Sequence, residues 1–130
     1  MILLDANTLI YYIKGLDAVV RRFQLTSPRE LRIPSVVAYE VEHGALKAGS
    51  ARRRAVTAGL LAGIVQAPFD ASAAGDAARI RVDLERRGFV IGPMDLIIAG
   101  TAVSRGALLI TSNTREFARI KGLRLEDWTR

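Results

Sequence analysis

Short unbroken apolar runs, separated by longer stretches of helical periodicity, constrain this chain more than any other feature of its sequence. The clearest is residues 2–4; residues 108–111 are apolar up to a final threonine, and residues 31–33 form a similar short segment that Arg32 interrupts. Runs this short and this apolar are typical of strands buried on both faces, as in a parallel sheet whose connections are helices. The alternation therefore predicts an α/β domain with a mostly parallel central sheet flanked by helices.

Weaker signals complete this outline. Two further strands are predicted at residues 64–65 and 123–125. Asn7 or Thr8 is expected to cap the first helix, and Ser35 the helix that follows the second strand. Because no repeat, linker or shift in composition divides the sequence, we expect residues 1–130 to form a single domain.

Composition excludes several classes of protein. Half of the residues are hydrophobic and a quarter are charged, which is unlike a disordered chain. The absence of cysteine excludes a disulfide scaffold, a thiolate zinc site and a cysteine nucleophile. Asp5 interrupts the N-terminal apolar stretch and Asp95 the most apolar one, so neither a signal peptide nor a membrane span is expected. We therefore expect a cytoplasmic protein without a membrane partner.

Acidic and amide side chains follow the predicted strands. Asp5 comes directly after the first strand, and Asn113 and Glu116 follow the strand that ends at Thr111. Glu40 lies in the second turn of the helix after the second strand. Ligands of open α/β sheets bind outside the carboxyl ends of the strands. Asp5, Asn113 and Glu116 are therefore expected at the edge of the sheet where a ligand would bind.

Taken singly, each of these residues has an ordinary structural interpretation. Asp5 could end a turn, Glu40 could face solvent, and Asp95 could complement the dipole of its helix. Together they would repel one another and raise each other's pKa values, and no lysine or arginine stands among them. A divalent cation would relieve this repulsion, and oxygen ligands favour Mg²⁺ or Mn²⁺. His43, the only histidine, is more typical of a structural or exposed residue.

Four segments of the chain carry a family resemblance. ILLDANTLI at residues 2–10, SVVAYEVEHG at 35–44 and IGPMDLIIA at 91–99 resemble the three acidic motifs of PIN-domain ribonucleases. LITSNTREF at residues 109–117 resembles the closing strand of that family. Within the family the similarity is greatest to the VapC-type toxins of toxin–antitoxin pairs, including their FitB-like relatives. The match covers nearly the whole chain in the right order.

The resemblance implies a PIN-like three-layer fold and Mg²⁺- or Mn²⁺-dependent hydrolysis of structured RNA such as tRNA. It implies that Asp5, Glu40 and Asp95 are metal ligands. Many PIN domains have an acidic residue where Asn113 stands, so either Glu116 supplies the fourth carboxylate or the site works with three. Residues expected to orient Asp5 or a water through hydrogen bonds are Asn7, Thr8 and Thr111, with Asn113 as a further member.

The expected partners are RNA and a protein. A net charge of +6 favours a polyanionic partner, and the cations expected to contact RNA are Arg52, Arg53, Arg54, Lys47, Arg86 and Arg115. A mean hydropathy of +0.20 suggests apolar surface that a partner covers. The resemblance implies a homodimer held by a cognate antitoxin, in a toxin–antitoxin hetero-oligomer.

Two other functions compete with this hypothesis. The segment from Asp5 to Thr8 is similar to the DxDxT motif of haloacid-dehalogenase-type phosphatases, but Asn7 stands where that chemistry needs a second aspartate. A non-catalytic RNA-binding PIN-like module with a degenerate site is favoured by Asn113 and disfavoured by the presence of all three other acidic residues. A receiver domain is disfavoured because no aspartate follows the second strand.

Overall fold

Five strands and seven α-helices make up the structure, a computed structural model that describes all 130 residues. The strands are β1 (Ile2–Leu4), β2 (Leu31–Pro34), β3 (Gln66–Ala67), β4 (Leu108–Ile110) and β5 (Arg124–Glu126). The helices are α1 (Ala6–Ile13), α2 (Asp17–Leu25), α3 (Ser35–Ala48), α4 (Ala51–Gly63), α5 (Ala71–Arg86), α6 (Pro93–Ser104) and α7 (Thr114–Phe117). None of these helices is long and apolar enough to cross a membrane.

The five strands form one sheet in the order β3-β2-β1-β4-β5, and every neighbouring pair is parallel. Leu4 of β1 lies opposite Ile110 of β4, and both side chains are fully buried. The prediction of an α/β domain with a parallel central sheet is confirmed. The strand order reverses direction at β1, so the crevice beyond the carboxyl ends of β1 and β4 is the place where this kind of sheet binds ligands.

The third strand lies two residues later than the sequence predicted. Residues 64–65 were expected to form it, but the N–H of Ile64 still donates to Leu60 O at the end of α4. Pairing with β2 begins at the carbonyl of Val65, which accepts from Ile33 N at 3.0 Å, and continues through β3. The helical hydrogen bonding therefore extends to Ile64, and β3 begins after the predicted run, at Gln66.

The predicted caps of α1 and α3 are wrong because both helices begin at the strand ends without a loop. Asp5 itself caps α1, since its Oδ1 accepts from Ala6 N at 2.7 Å. Asn7 and Thr8 lie inside that helix. Ser35 is the first helical residue of α3 and its hydroxyl bonds Ala67 O, while Pro34 occupies the cap position.

Helices α5 and α6 approach each other more closely than any side chain larger than hydrogen would allow. A Cβ on Gly100 would lie 2.6 Å from Ala73 O and 2.7 Å from Ala77 Cβ. We call this contact, formed by Ala73, Ala77 and Gly100, the α5–α6 seam. It fixes α6, and with it Asp95 in the first turn of α6, against the rest of the core.

Candidate active site

Asp5 stands at the centre of the sheet's carboxyl edge with both carboxylate oxygens held. Its Oδ1 accepts from Ala6 N, and its Oδ2 accepts from the Thr111 hydroxyl at 2.7 Å. Its own N–H donates to Ile110 O at 3.0 Å, which extends the ladder between β1 and β4 by one bond. The side chain is only 6% exposed. Burial raises the pKa of Asp5, although the two hydrogen bonds act in the opposite direction.

Thr111 links Asp5 to the segment that follows β4. Its hydroxyl donates to Asp5 and accepts from Asn113 N at 3.0 Å, and the residue is fully buried. The side-chain amide of Asn113 then donates to Glu116 Oε2 at 3.2 Å. Asn113 precedes the first turn of α7 and Glu116 lies in that turn. A continuous chain of hydrogen bonds therefore runs from Asp5 to Glu116.

Glu40 and Asp95 approach this chain from α3 and α6. Burial raises the pKa of Glu40, and so do the negative charges of Asp5 and Asp95. Burial, the charges of Asp5 and Glu116 and a hydrogen bond with Glu116 raise the pKa of Asp95 to about 6. Such mutual effects require short separations, because charge interactions between exposed groups are screened within about 10 Å. The structure thus brings together Asp5, Glu40, Asp95 and Glu116, which we call the acidic cluster.

No arginine, lysine or histidine forms an ion pair with any member of the acidic cluster. No group of three or more histidine, cysteine, aspartate or glutamate side chains is arranged to hold a metal ion directly. The donor set nevertheless fits Mg²⁺ or Mn²⁺, because it consists of oxygen ligands whose charge nothing else balances. Mg²⁺ commonly binds proteins through one or two carboxylates and keeps several of its waters.

The other residues expected to orient Asp5 behave differently from Thr111. The hydroxyl of Thr8 is buried and donates to Ile110 O at 3.2 Å, which fastens α1 to β4 rather than holding Asp5. Asn7 is exposed on α1 and makes no hydrogen bond to Asp5.

The sequence analysis did not foresee the contact between Asp95 and Glu116. Their separation along the chain leaves no local pattern that would reveal it.

The six cations expected to contact RNA share one property in the structure: none forms an ion pair. These are Lys47, Arg52, Arg53, Arg54, Arg86 and Arg115. Arg52 and Arg54 are exposed at the start of α4, whereas Arg53 is half-buried. The Arg53 guanidinium reaches α3, where its Nη2 lies 3.1 Å from the position a Cβ on Gly44 would occupy.

Comparison with known proteins identifies the family. The family model described as PIN domain matches residues 2–123, so the chain belongs to the PIN-domain family. Over 129 residues it is 43% identical to the tRNA(fMet)-specific endonuclease VapC of Shigella flexneri, covering 98% of this chain and 97% of that one. It is 41% identical to the enzyme of the same name from Salmonella typhimurium, covering 97% and 96% of the two chains.

Solved structures agree with this assignment. The crystal structure of DNA-bound VapBC from Salmonella typhimurium matches with a TM-score of 0.88 and 40% identity, covering 98% of this chain and 97% of that chain. VapBC2 from Rickettsia felis, bound to a DNA fragment from its promoter, matches with a TM-score of 0.87 and 31% identity, covering 98% and 99%. The predictions of a PIN-like fold and of an endoribonuclease are confirmed, and the phosphatase and the non-catalytic module are not supported.

Proposed function

We propose that this chain is a divalent-metal-dependent endoribonuclease that cuts tRNA and acts as the toxin of a toxin–antitoxin pair, with the acidic cluster as its active site. The observation that carries the proposal is the convergence of four carboxyl groups, with no balancing cation, at the crevice between β1 and β4. Relatives also support the proposal: three that match nearly the full chain are named as endonucleases or ribonucleases.

In this proposal Asp5, Glu40, Asp95 and Glu116 hold Mg²⁺ or Mn²⁺. The bound ion supplies a water of lowered pKa and neutralises charge that develops on the phosphate. Thr111 keeps Asp5 in one orientation by donating to its Oδ2. Ordered hydrogen-bond partners of this kind set both the direction and the basicity of a ligand.

Glu116 rather than Asn113 is proposed as the fourth acidic residue. Asn113 contributes an amide that donates to Glu116 and so orients it, whereas the charge of Glu116 acts directly on Asp95. Because burial, the charges of Asp5 and Glu116 and the hydrogen bond with Glu116 raise the pKa of Asp95 to about 6, Asp95 of the metal-free protein keeps a proton below about pH 6. A bound cation would replace that proton, since metal binding to protonated ligands releases protons.

The unpaired cations are proposed to bind the RNA backbone. Arg52, Arg53 and Arg54 lie at the start of α4, and Arg115 is adjacent to Glu116 in the first turn of α7. Phosphate binding by lysine and arginine releases counterions and supplies most sequence-independent affinity. These residues would draw RNA towards a cluster that repels it until a metal binds.

The names of the relatives suggest the substrate and partners. We propose tRNA(fMet) as the substrate, as the names of two relatives state for those proteins, and the cytoplasm as the place of action. We also propose a cognate antitoxin, because the matched VapBC structures belong to a family of toxin–antitoxin systems. A homodimer is proposed from the family resemblance alone. Two exposed apolar side chains shortly before Asp95 in the chain are available to a partner: Val90 is 84% exposed and Met94 40% exposed.

Cleavage of a tRNA(fMet) transcript by the purified protein tests the active site. Wild type is expected to cut in Mn²⁺ or Mg²⁺ and not in EDTA. Asp5→Asn and Asp95→Asn are expected to lower kcat/KM by roughly 10²–10³-fold, the usual effect of removing a group that stabilises transition-state charge. Glu30→Gln is the control, because Glu30 is exposed and lies just before β2, at the opposite edge of the sheet. Equal cutting by all four proteins would show that another nuclease is responsible.

A growth assay tests the partner separately. Induced expression of the wild type is expected to arrest growth, and co-expression of the neighbouring small protein to restore it. Arrest by Asp5→Asn at the same protein level would contradict the proposed toxic activity.

A further inference from the structure

Among the exposed residues of α3 that have no role in the proposed active site, three form one line; Glu42 and Leu46 are exposed beside it. The three are Tyr39, His43 and Lys47, which follow one another at intervals of four residues and so lie along one side of the helix. Tyr39 is 59% exposed, and His43 and Lys47 are also exposed. We call these three residues the α3 stripe.

The α3 stripe is adjacent to the acidic cluster. With 3.6 residues per turn, Tyr39 lies about 100° and His43 about 60° around α3 from Glu40, both in the same direction. Lys47 lies within about 20° of the line through Glu40, about 10 Å further along the helix. Because the charges of Asp5 and Asp95 act on Glu40, that side of α3 faces the acidic cluster. The stripe therefore borders the place where a phosphate would be cut.

The two rings of the stripe are nearly parallel but separated. Their planes differ by 19° and their centroids are 6.5 Å apart. Bases in a nucleic-acid strand are spaced by about 3.4 Å, so this separation is close to two base spacings. Exposed rings next to a nuclease site are suited to bind RNA bases, because unpaired bases stack on tyrosine and histidine whatever their sequence.

Two unpaired cations lie near the same rings, although the exposed acid Glu42 is also next to His43 in the chain. Lys47 forms no ion pair, and the unpaired Arg53 guanidinium reaches α3 at Gly44, the residue after His43. Proteins that bind single-stranded nucleic acid combine aromatic platforms with a positive groove in this way. A second copy of this chain would bring the same positive charges to the surface, so RNA fits it better than a like-charged protein does.

We propose that Tyr39 and His43 bind one unpaired base of the RNA next to the phosphate to be cut, and that Lys47 and Arg53 hold the phosphates flanking that base. This inference rests on the proposed ribonuclease function and extends it. It makes a single-stranded loop, rather than the helical stem, the part of the RNA that the enzyme recognises. Tyr39 and His43 thereby become determinants of specificity, in addition to the residues that support hydrolysis.

Binding of a stem–loop RNA from tRNA(fMet), with 2-aminopurine at one loop position at a time, tests the inference. Binding is measured by anisotropy without added Mg²⁺ or Mn²⁺, so the RNA stays intact, and stacking is measured by quenching of the 2-aminopurine fluorescence. We expect wild type to quench one loop position strongly. Tyr39→Ala is expected to abolish this quenching and to weaken binding by about 5- to 100-fold, whereas Tyr39→Phe should preserve both.

Further variants separate stacking from charge. His43→Ala should reduce the quenching, and Lys47→Ala should weaken binding and reduce its salt dependence while leaving the quenching in place. Leu25→Ala is the matched control, because Leu25 is 79% exposed at the end of α2, away from α3. Removing the quenched base from the RNA should weaken wild type but not weaken Tyr39→Ala further.

Several results would overturn the inference. These are the absence of quenching at every loop position, unchanged binding by Tyr39→Ala, or equal losses from Tyr39→Phe and Tyr39→Ala. A change in oligomeric mass of Tyr39→Ala with unchanged RNA binding would instead assign the stripe to contact between copies. Loss of the proposed nuclease function is distinguishable, since wild type would then quench the base but leave the tRNA(fMet) transcript uncut in Mn²⁺.

Discussion

The acidic cluster and helix α5 handle negative charge in opposite ways. On α5, Asp76 pairs with Arg79, Glu85 with Arg81, and Asp83 with Arg87, each three or four residues away. In the acidic cluster, four carboxyl groups from different parts of the chain meet without a single arginine or lysine partner. On α5, Glu85 is exposed and Asp76 and Asp83 are half-buried, whereas Asp5 is buried.

The ion pairs of α5 stabilise the folded protein, whereas the like charges of the acidic cluster repel one another. Exposed pairs such as those of α5 each contribute at most about 1 kcal/mol, but they contribute it without any ligand. The acidic cluster lowers the stability of the metal-free protein, because burial and like charges both disfavour ionised carboxylates. Native active sites often carry such a cost where activity requires it. The following predictions test this contrast from the largest expected effect to the smallest.

Glu116→Gln is expected to reduce RNA cleavage by roughly 10²–10³-fold, because it removes a charge from the acidic cluster. Asn113→Ala should reduce cleavage less, by roughly 10–100-fold, because it removes only a hydrogen bond that orients Glu116. The measurement is kcat/KM on the tRNA(fMet) transcript in saturating Mn²⁺. The reverse order would make Asn113 the residue that completes the site.

Gly100→Ala should lower the free energy of unfolding by about 1–3 kcal/mol, because the added methyl group would overlap Ala73 O and Ala77 Cβ. Gly59→Ala on α4 is the matched control, since a Cβ there meets nothing within 4 Å. It should stabilise the protein by about 0.4–1 kcal/mol. Urea denaturation of both variants gives the comparison. A neutral Gly100→Ala would show that α5 and α6 can separate at no cost.

Thr111→Val is expected to weaken Mn²⁺ binding by roughly 10–100-fold, because Asp5 Oδ2 loses the hydrogen bond that orients it. Isothermal titration calorimetry measures the affinity. Thr101→Val provides the control: the Thr101 hydroxyl is likewise buried, but it bonds Ile97 O within α6. Thr101→Val should reduce stability and leave Mn²⁺ affinity unchanged. Similar Mn²⁺ affinities in both variants would mean that Thr111 acts only through the fold.

The metal-free protein is expected to lose stability as the pH rises from about 4 to about 6. Within this window the folded state keeps a proton on Asp95, whose pKa is raised to about 6, while the unfolded state releases it near its ordinary value of 3.8. Thermal melts in EDTA at several pH values measure the effect. Asp95→Asn should flatten this part of the profile. A wild-type melting temperature that rises steadily from pH 4 to pH 6 would contradict the origin proposed for the raised pKa.

The sequence predicted the fold and the residues of the candidate site better than it predicted the contacts between those residues. Short apolar runs predicted β1, β2 and β4 because buried parallel strands need side chains that are apolar on both faces. The position of each acid relative to a strand end placed Asp5 and Glu116 at the same edge of the sheet. Both inferences rest on local patterns that the chain carries in consecutive residues.

Contacts between distant residues escaped the sequence analysis. The bond from Thr111 to Asp5 spans 106 positions, and neither residue is marked locally as a partner of the other. The third strand was misplaced because Ile64 and Val65 are apolar, as residues of a buried strand are. The N–H of Ile64 instead donates to the end of α4. Asn7 and Thr8 looked like caps because both residue types favour that position. Asp5, two or three residues earlier, serves instead.

The central position of β1 has a consequence for protein synthesis. β1 precedes its second neighbour, β4, by more than a hundred residues, so this pairing waits until those residues have been made. Pairings between such distant segments form late, since loop closure must precede them. The hydrogen bonds that link Asp5 to Thr111 and onward to Glu116 can therefore form only after β4 and α7 have been made, so the acidic cluster assembles late in the synthesis of this domain.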